Sequence, residues 1–150
     1  MNNVQETPWT NPRFRNWIAL VRAEKAVVQA LTKALAPLDL KIAQLDILMN
    51  VHRHPDLSQQ NLARRLLVGR SNITMLLPQL EAQRLLQRTP DARDKRVMRL
   101  KLTPSGEELL SKALKVYADL VERVMAQSSD AECNLIGARM TQIAELLKDD

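Results

Sequence analysis

Apolar residues recur at helical spacing along most of the chain, and only one stretch alternates with a period of two. The first helical run carries Ile18, Val21, Val28, Leu31 and Leu35. Thr10-Asn11-Pro12 supplies a capping polar residue and a proline at a first helical position, and Pro37 ends the run by pushing its predecessor out of the α region. A second helix carries Ile42, Leu45, Ile47, Leu48 and Val51 and stops before Pro55. Ser58 is placed to cap a short third helix reaching about Leu67, with Asn61 where a capping box prefers Glu or Gln. Val68-Gly69 makes a turn, and a fourth helix starts near Arg70. Its face of Ile73, Leu76, Leu77 and Leu80 is expected to be buried, with Arg70, Ser71, Asn72, Thr74, Met75 and Gln79 facing out.

The alternating stretch comes next. Leu86 and Arg88 suit an edge strand, and Val97, Met98, Arg99, Leu100, Lys101 and Leu102 alternate roughly apolar with basic, as a half-buried strand should. Between them lies the charged tip Asp91-Ala92-Arg93-Asp94-Lys95-Arg96. Two short helices, a turn and a hairpin make a helix-turn-helix followed by a wing. Thr103-Pro104 then caps a long fifth helix whose first turn holds Glu107 and Glu108, where the macrodipole favours negative charge. Its stripe is Leu110, Ala113, Leu114, Tyr117, Leu120, Val121 and Val124. After Ser128-Ser129-Asp130, a sixth helix repeats the pattern with Ile136, Met140, Ile143 and Leu147. The winged part closes its own core, so the stripes of the terminal helices call for burial against a second copy. A homodimer is expected.

Charge sharpens the picture. The net +5 is unevenly spread: residues 41 to 104 hold twelve Lys and Arg against five Asp and Glu, net +7, and the rest is net −2. A basic middle segment is an electrostatic footprint for a polyanion, and with a helix-turn-helix the natural partner is duplex DNA. Arg70, Arg93, Lys95, Arg96 and Arg99 are expected on one side of it. A winged helix can instead serve as a protein-docking module without DNA binding, but such a module has no need of those cations.

Composition excludes more than it adds. Hydrophobic residues form 45% of the chain with only three Gly, and no apolar run approaches the roughly 18 residues of a membrane span, so a soluble, mostly helical protein is expected. The N-terminus has neither a basic nor an apolar signal region, which predicts a cytoplasmic location. Cys133 is the single cysteine, excluding an internal disulfide and a cysteine-rich zinc module. There is no nucleophile elbow, glycine-rich phosphate loop or metal-ligand spacing; His52 and His54 point apart at a helix end. No enzyme, cofactor or metal is expected.

Three segments carry a family resemblance: Leu57 to Ala63, Arg70 to Thr74, and Leu80 to Leu86 leading into Asp91-Ala92-Arg93-Asp94-Lys95-Arg96 and Leu100-Lys101-Leu102-Thr103-Pro104-Ser105-Gly106. The chain resembles the MarR family of transcription regulators over roughly residues 20 to 147. The resemblance implies a mainly α fold with a small β-hairpin wing, in which a winged helix-turn-helix core (41–104) is flanked by N- and C-terminal dimerisation helices (11–36 and 105–148) within one domain spanning 1–150. It implies a homodimer on a palindromic operator, repressing until a small-molecule effector binds. Carried over by position, DNA contacts fall to Ser58, Gln59, Arg70, Ser71, Asn72, Thr74 and Met75 in the helix-turn-helix, and to Arg93, Asp94, Lys95 and Arg96 in the wing. Arg70 can fork onto guanine and Asn72 can pair with adenine, while Arg96 suits a narrow A·T-rich minor groove with Asp94 holding it in place. An effector between the terminal helices and the winged part would meet Trp17, Val21, Ile47, His52 and Tyr117. Two departures stand out. Pro78 predicts a bend or break in the fourth helix, and Met75 stands where a basic residue is common in the family.

Overall fold

The computed structural model describes residues 8–66 and 73–148. A 3₁₀ turn, Pro8–Thr10, leads into α1 (Pro12–Leu35), where the Asn11 side chain accepts the Arg13 N–H. A second 3₁₀ turn, Ala36–Leu38, follows, and after it come α2 (Ile42–Arg53), α3 (Gln59–Arg65), α4 (Ile73–Ala82), β1 (Leu86–Pro90), β2 (Met98–Leu102), α5 (Pro104–Met125) and α6 (Asp130–Leu146). Caps decide most of the boundaries. Ser58 Oγ accepts the Asn61 N–H, Thr103 Oγ1 accepts that of Gly106, and Ser129 and Glu132 form a reciprocal capping box. α3 ends at Arg65 because Leu66 is already extended, slightly short of the expected Leu67. Residues 67–72, which hold the expected Val68-Gly69 turn and the start of the fourth helix, lie outside the described residues.

Of the bend or break expected at Pro78, a break does not occur, and α4 continues through the proline to Ala82. Ile73, Leu76, Leu77 and Leu80 are all buried along one face. Burying each such side chain contributes about 1.5–3 kcal/mol, so together they outweigh the roughly 3 kcal/mol that a helix-interior proline costs. α4 closes in a Schellman turn: the Leu85 N–H bonds to the Leu80 carbonyl and that of Arg84 to Glu81, with Arg84 in the left-handed region at φ 58°.

β1 and β2 pair antiparallel in the register Leu86↔Leu102, Arg88↔Leu100 and Pro90↔Met98. β2 also has a partner on its other edge. The Leu100 N–H donates to the Leu57 carbonyl at 2.9 Å, and Ser58 and Arg99 form an antiparallel bridge, so the segment entering α3 acts as a third short strand. Leu57, Leu62, Leu77, Leu80, Leu86 and Leu100 meet with Leu45, Ile47 and Leu48 of α2 in one core.

The terminal helices contribute to that core unequally. Leu31 and Leu35 at the end of α1 join it, and so do Leu110, Ala113 and Leu120 of α5, so part of the α5 stripe does find partners within its own chain. No residue of α6 is buried within the chain. Val21, Val27 and Val28 on α1, Leu114, Val121 and Val124 on α5, and Leu135, Ile136, Met140 and Leu147 on or just past α6 are exposed. Among the described residues no helix is long and apolar enough to cross a membrane.

Candidate nucleic-acid interface

The wing is shaped by two aspartates. Asp91 Oδ1 accepts the backbone N–H of Arg93 at 2.8 Å and of Asp94 at 3.1 Å, folding the chain over as an Asx turn, and the Asp91 N–H closes it onto the Val97 carbonyl at 2.8 Å. Asp94 repeats the device three residues on. Its Oδ1 accepts the Arg96 N–H at 3.0 Å and Nε–H at 3.1 Å, and its Oδ2 accepts the second guanidinium nitrogen, Nη2, at 3.2 Å. This is a two-pronged charge-assisted contact. The Arg96 side chain is nevertheless 91% exposed, so it is held in one direction while its outer face stays open.

Both carboxylates are acidified by what they hold. The Arg99 guanidinium, with the Arg93 and Asp94 N–H groups, lowers Asp91 to about 2. Asp94 is lowered by the Arg96 side chain and then its N–H. Each shift favours the charged form, so both stay ionised at neutral pH.

The helix-turn-helix meets the wing across a cleft of about 420 Å³. Ser58 and Gln59 at the start of α3, Thr74 in the first turn of α4, and Arg96 and Met98 of the wing all line it, so the structure brings together four of the expected contact residues. Thr74 is exposed, and Met75 beside it is 66% exposed, an apolar side chain at the surface of α4. Ser58 is buried with its hydroxyl oxygen capping α3, so it sits inside the motif. Gln59 Oε1 accepts a long 3.4 Å bond from Arg88, which also pairs with Glu81 of α4. Arg93 and Lys95 are exposed on the tip. Arg70, Ser71 and Asn72 lie outside the described residues.

One expected cation is placed differently. Arg99, grouped by sequence with the groove-facing charges, donates from Nε to Asp91 Oδ2 at 2.8 Å and from Nη1 to the Asp56 carbonyl at 3.0 Å. Its donors are turned toward the base of the wing. Neither this contact nor the Glu81–Arg88 pair was legible beforehand, because both join residues on different elements and the sequence shows charge without direction.

The residues expected around an effector do not share a cavity. Tyr117 lines an apolar cavity of about 570 Å³ between α1 and α5, with Ala26, Val27, Ala30, Val121 and Val124. Trp17 and Val21 are exposed on α1, and Ile47 is wholly buried in the core. His52 is exposed and shares a 2.7 Å contact with Glu107, joining the end of α2 to the start of α5. Among the described residues no group of three or more His, Cys, Asp or Glu is placed to hold a metal.

Residues 38–97, which run from α2 through the wing tip, match the family model described as the MarR family. The winged core is thus similar to the MarR family. Members are transcription regulators and not enzymes. Solved MarR-type structures share the fold over nearly the whole chain. The transcriptional repressor CouR, bound to a 23-mer DNA duplex, is 28% identical with a TM-score of 0.74, covering 84% of this chain and 89% of its own. The MepR–DNA complex of S. aureus is 23% identical with a TM-score of 0.79, covering 87% and 96%. The organohalide-sensing regulator RdhR in its ligand-free form is 18% identical with a TM-score of 0.80, covering 98% and 86%. In MarR terms, α3 and α4 are the helix-turn-helix and the β1–β2 hairpin is the wing.

Proposed function

We propose that this chain is a cytoplasmic, homodimeric repressor that binds a palindromic operator and releases it on binding a small molecule. The winged core of residues 41–104 reads the DNA, and the helices in 11–36 and 105–148 hold the dimer. The observation that carries the DNA reading is Arg96, exposed at the tip of a turn yet fixed by two bonds to Asp94. An arginine of that kind can enter a narrow minor groove without losing the rotamer freedom a loose side chain would lose. α4 would lie in the major groove with Thr74 and Met75 outward, and Arg70, Ser71 and Asn72 at its approach. The exposed apolar faces of α1, α5 and α6 support the dimer. CouR is a repressor seen on DNA and RdhR senses a ligand, which supports the same two activities here. Tyr117 and the apolar cavity between α1 and α5 support an effector seat there, which Trp17, Val21, Ile47 and His52 do not line.

The wing gives a test of sign. Removing an anion near DNA would, by long-range electrostatics alone, tighten binding. If Asp94 orients Arg96, Asp94→Ala instead weakens specific binding at matched salt by about three- to tenfold, the scale of one ordinary hydrogen bond. Fluorescence anisotropy with a cognate duplex measures it. Tighter binding by Asp94→Ala would show that the wing acts only as a diffuse positive patch.

A further inference from the structure

Arg99 bridges two parts of the fold that the main chain joins only distantly. Asp91, on its Nε side, opens the wing turn. Asp56, whose carbonyl accepts from Nη1, is the left-handed residue (φ 61°) in the loop between α2 and α3. The backbone reinforces the link on the same edge, through the Ser58–Arg99 bridge and the Leu100–Leu57 bond, and Ser58 is the residue that caps α3. From the wing side, the carboxylate that grips Arg99 with one oxygen shapes the turn with the other, and that turn presents Asp94 to Arg96. A continuous series of bonds therefore runs from the Asp56 carbonyl through Arg99, Asp91 and Asp94 to the Arg96 guanidinium.

We propose that Arg99 is a positioning residue for the wing, which sets where Arg96 meets the duplex relative to α3 and does not itself touch DNA. The proposal rests on the DNA-binding reading above. Its chemistry needs arginine: two donors held in one planar fork reach a carboxylate and a carbonyl on different segments, whereas a lysine ammonium keeps the charge and loses the fork. A phosphate contact by Arg99 would make the opposite demand, for charge and not for geometry.

The test is a double-mutant cycle with a labelled duplex that the wild-type chain has enriched from a random library. In the parent, Arg96→Ala weakens binding by about tenfold, the scale of a contact by a charged group. In the Arg99→Lys background the same change costs no more than about twofold, because Arg96 is already misplaced. Arg99→Lys alone weakens binding while its dependence on salt stays as in the parent, since no phosphate contact has been removed. Asp91→Asn, which retains every cation, reproduces the lost coupling and carries the cycle should Arg99→Lys melt below the assay temperature. A loss from Arg96→Ala that persists at about tenfold in both backgrounds overturns the proposal, leaving Arg99 as a stability element or a separate DNA contact. A parent that enriches no duplex at all refutes the DNA-binding reading and this inference together.

Discussion

Replacing Ile136 and Met140 together by Glu is expected to turn the protein from a dimer into a folded monomer at micromolar concentration, and to weaken operator binding by about a hundredfold or more. The effect originates in α6. Its residues Leu135, Ile136 and Met140 are exposed, and none of its side chains is buried within its own chain. An isolated amphipathic helix of this length is marginal in water, so its stripe needs an apolar partner. The exposed Val21 and Val28 of α1 and Leu114 of α5, outside the cavity around Tyr117, offer one in a second copy. Acids at positions 136 and 140, one turn apart on a single face, remove that seam and leave the winged core untouched. Two linked winged domains bind two half-sites with the second event made intramolecular, and a monomer loses that advantage. Sedimentation velocity reads the first consequence and anisotropy the second. A double variant that remains dimeric would place the dimer interface elsewhere.

Gly106→Ala is expected to lower stability by about 3 kcal/mol, a fall in Tm of roughly 10 °C, whatever its effect on DNA binding. A Cβ at this position would lie 2.0 Å from the Leu85 carbonyl oxygen and 3.0 Å from its carbon. Neither side can retreat easily. That carbonyl accepts the Thr103 N–H at 3.1 Å, the Leu85 N–H closes the Schellman turn onto Leu80, and Thr103 caps α5 through Gly106 itself. Relief would have to part the start of α5 from the corner between α4 and β1. Gly137 is the internal control, since a Cβ there meets nothing within 4 Å. Gly137→Ala in α6 should raise stability by up to about 1 kcal/mol from helix propensity alone. Thermal melts of the two variants moving in the same direction would contradict this account of Gly106.

The contrast between these two glycines shows what the sequence could and could not convey. Helix starts were legible because they are written in local chemistry: Asn11-Pro12, Ser58 and Thr103-Pro104 each cap the helix that follows them. The buried face of α4 and the alternation of the wing were legible because periodicity maps directly onto burial. Gly106 resembles any loop glycine until the Leu85 backbone is seen against it. Arg99 was misplaced for a related reason. Charge density along the chain correctly marked the basic segment, but whether a cation faces solvent or a neighbouring carboxylate depends on strand register, and Arg99 lies on the edge of β2 that meets the Leu57–Ser58 segment. Pro78 does not break α4. Its local penalty is real, and four buried neighbours on the same face exceed it.

The central claim is that two winged domains related by a two-fold axis read one duplex, with α4 in the major groove and Arg96 beside it in the minor groove. Selection of random duplexes by the wild-type chain tests this most directly. The account predicts enrichment of an imperfect palindrome whose half-site centres lie about 10 base pairs apart, or a multiple of that helical turn, with A·T-rich positions where each wing reaches. Enrichment of a single unrepeated element, or of no sequence at all, would contradict it.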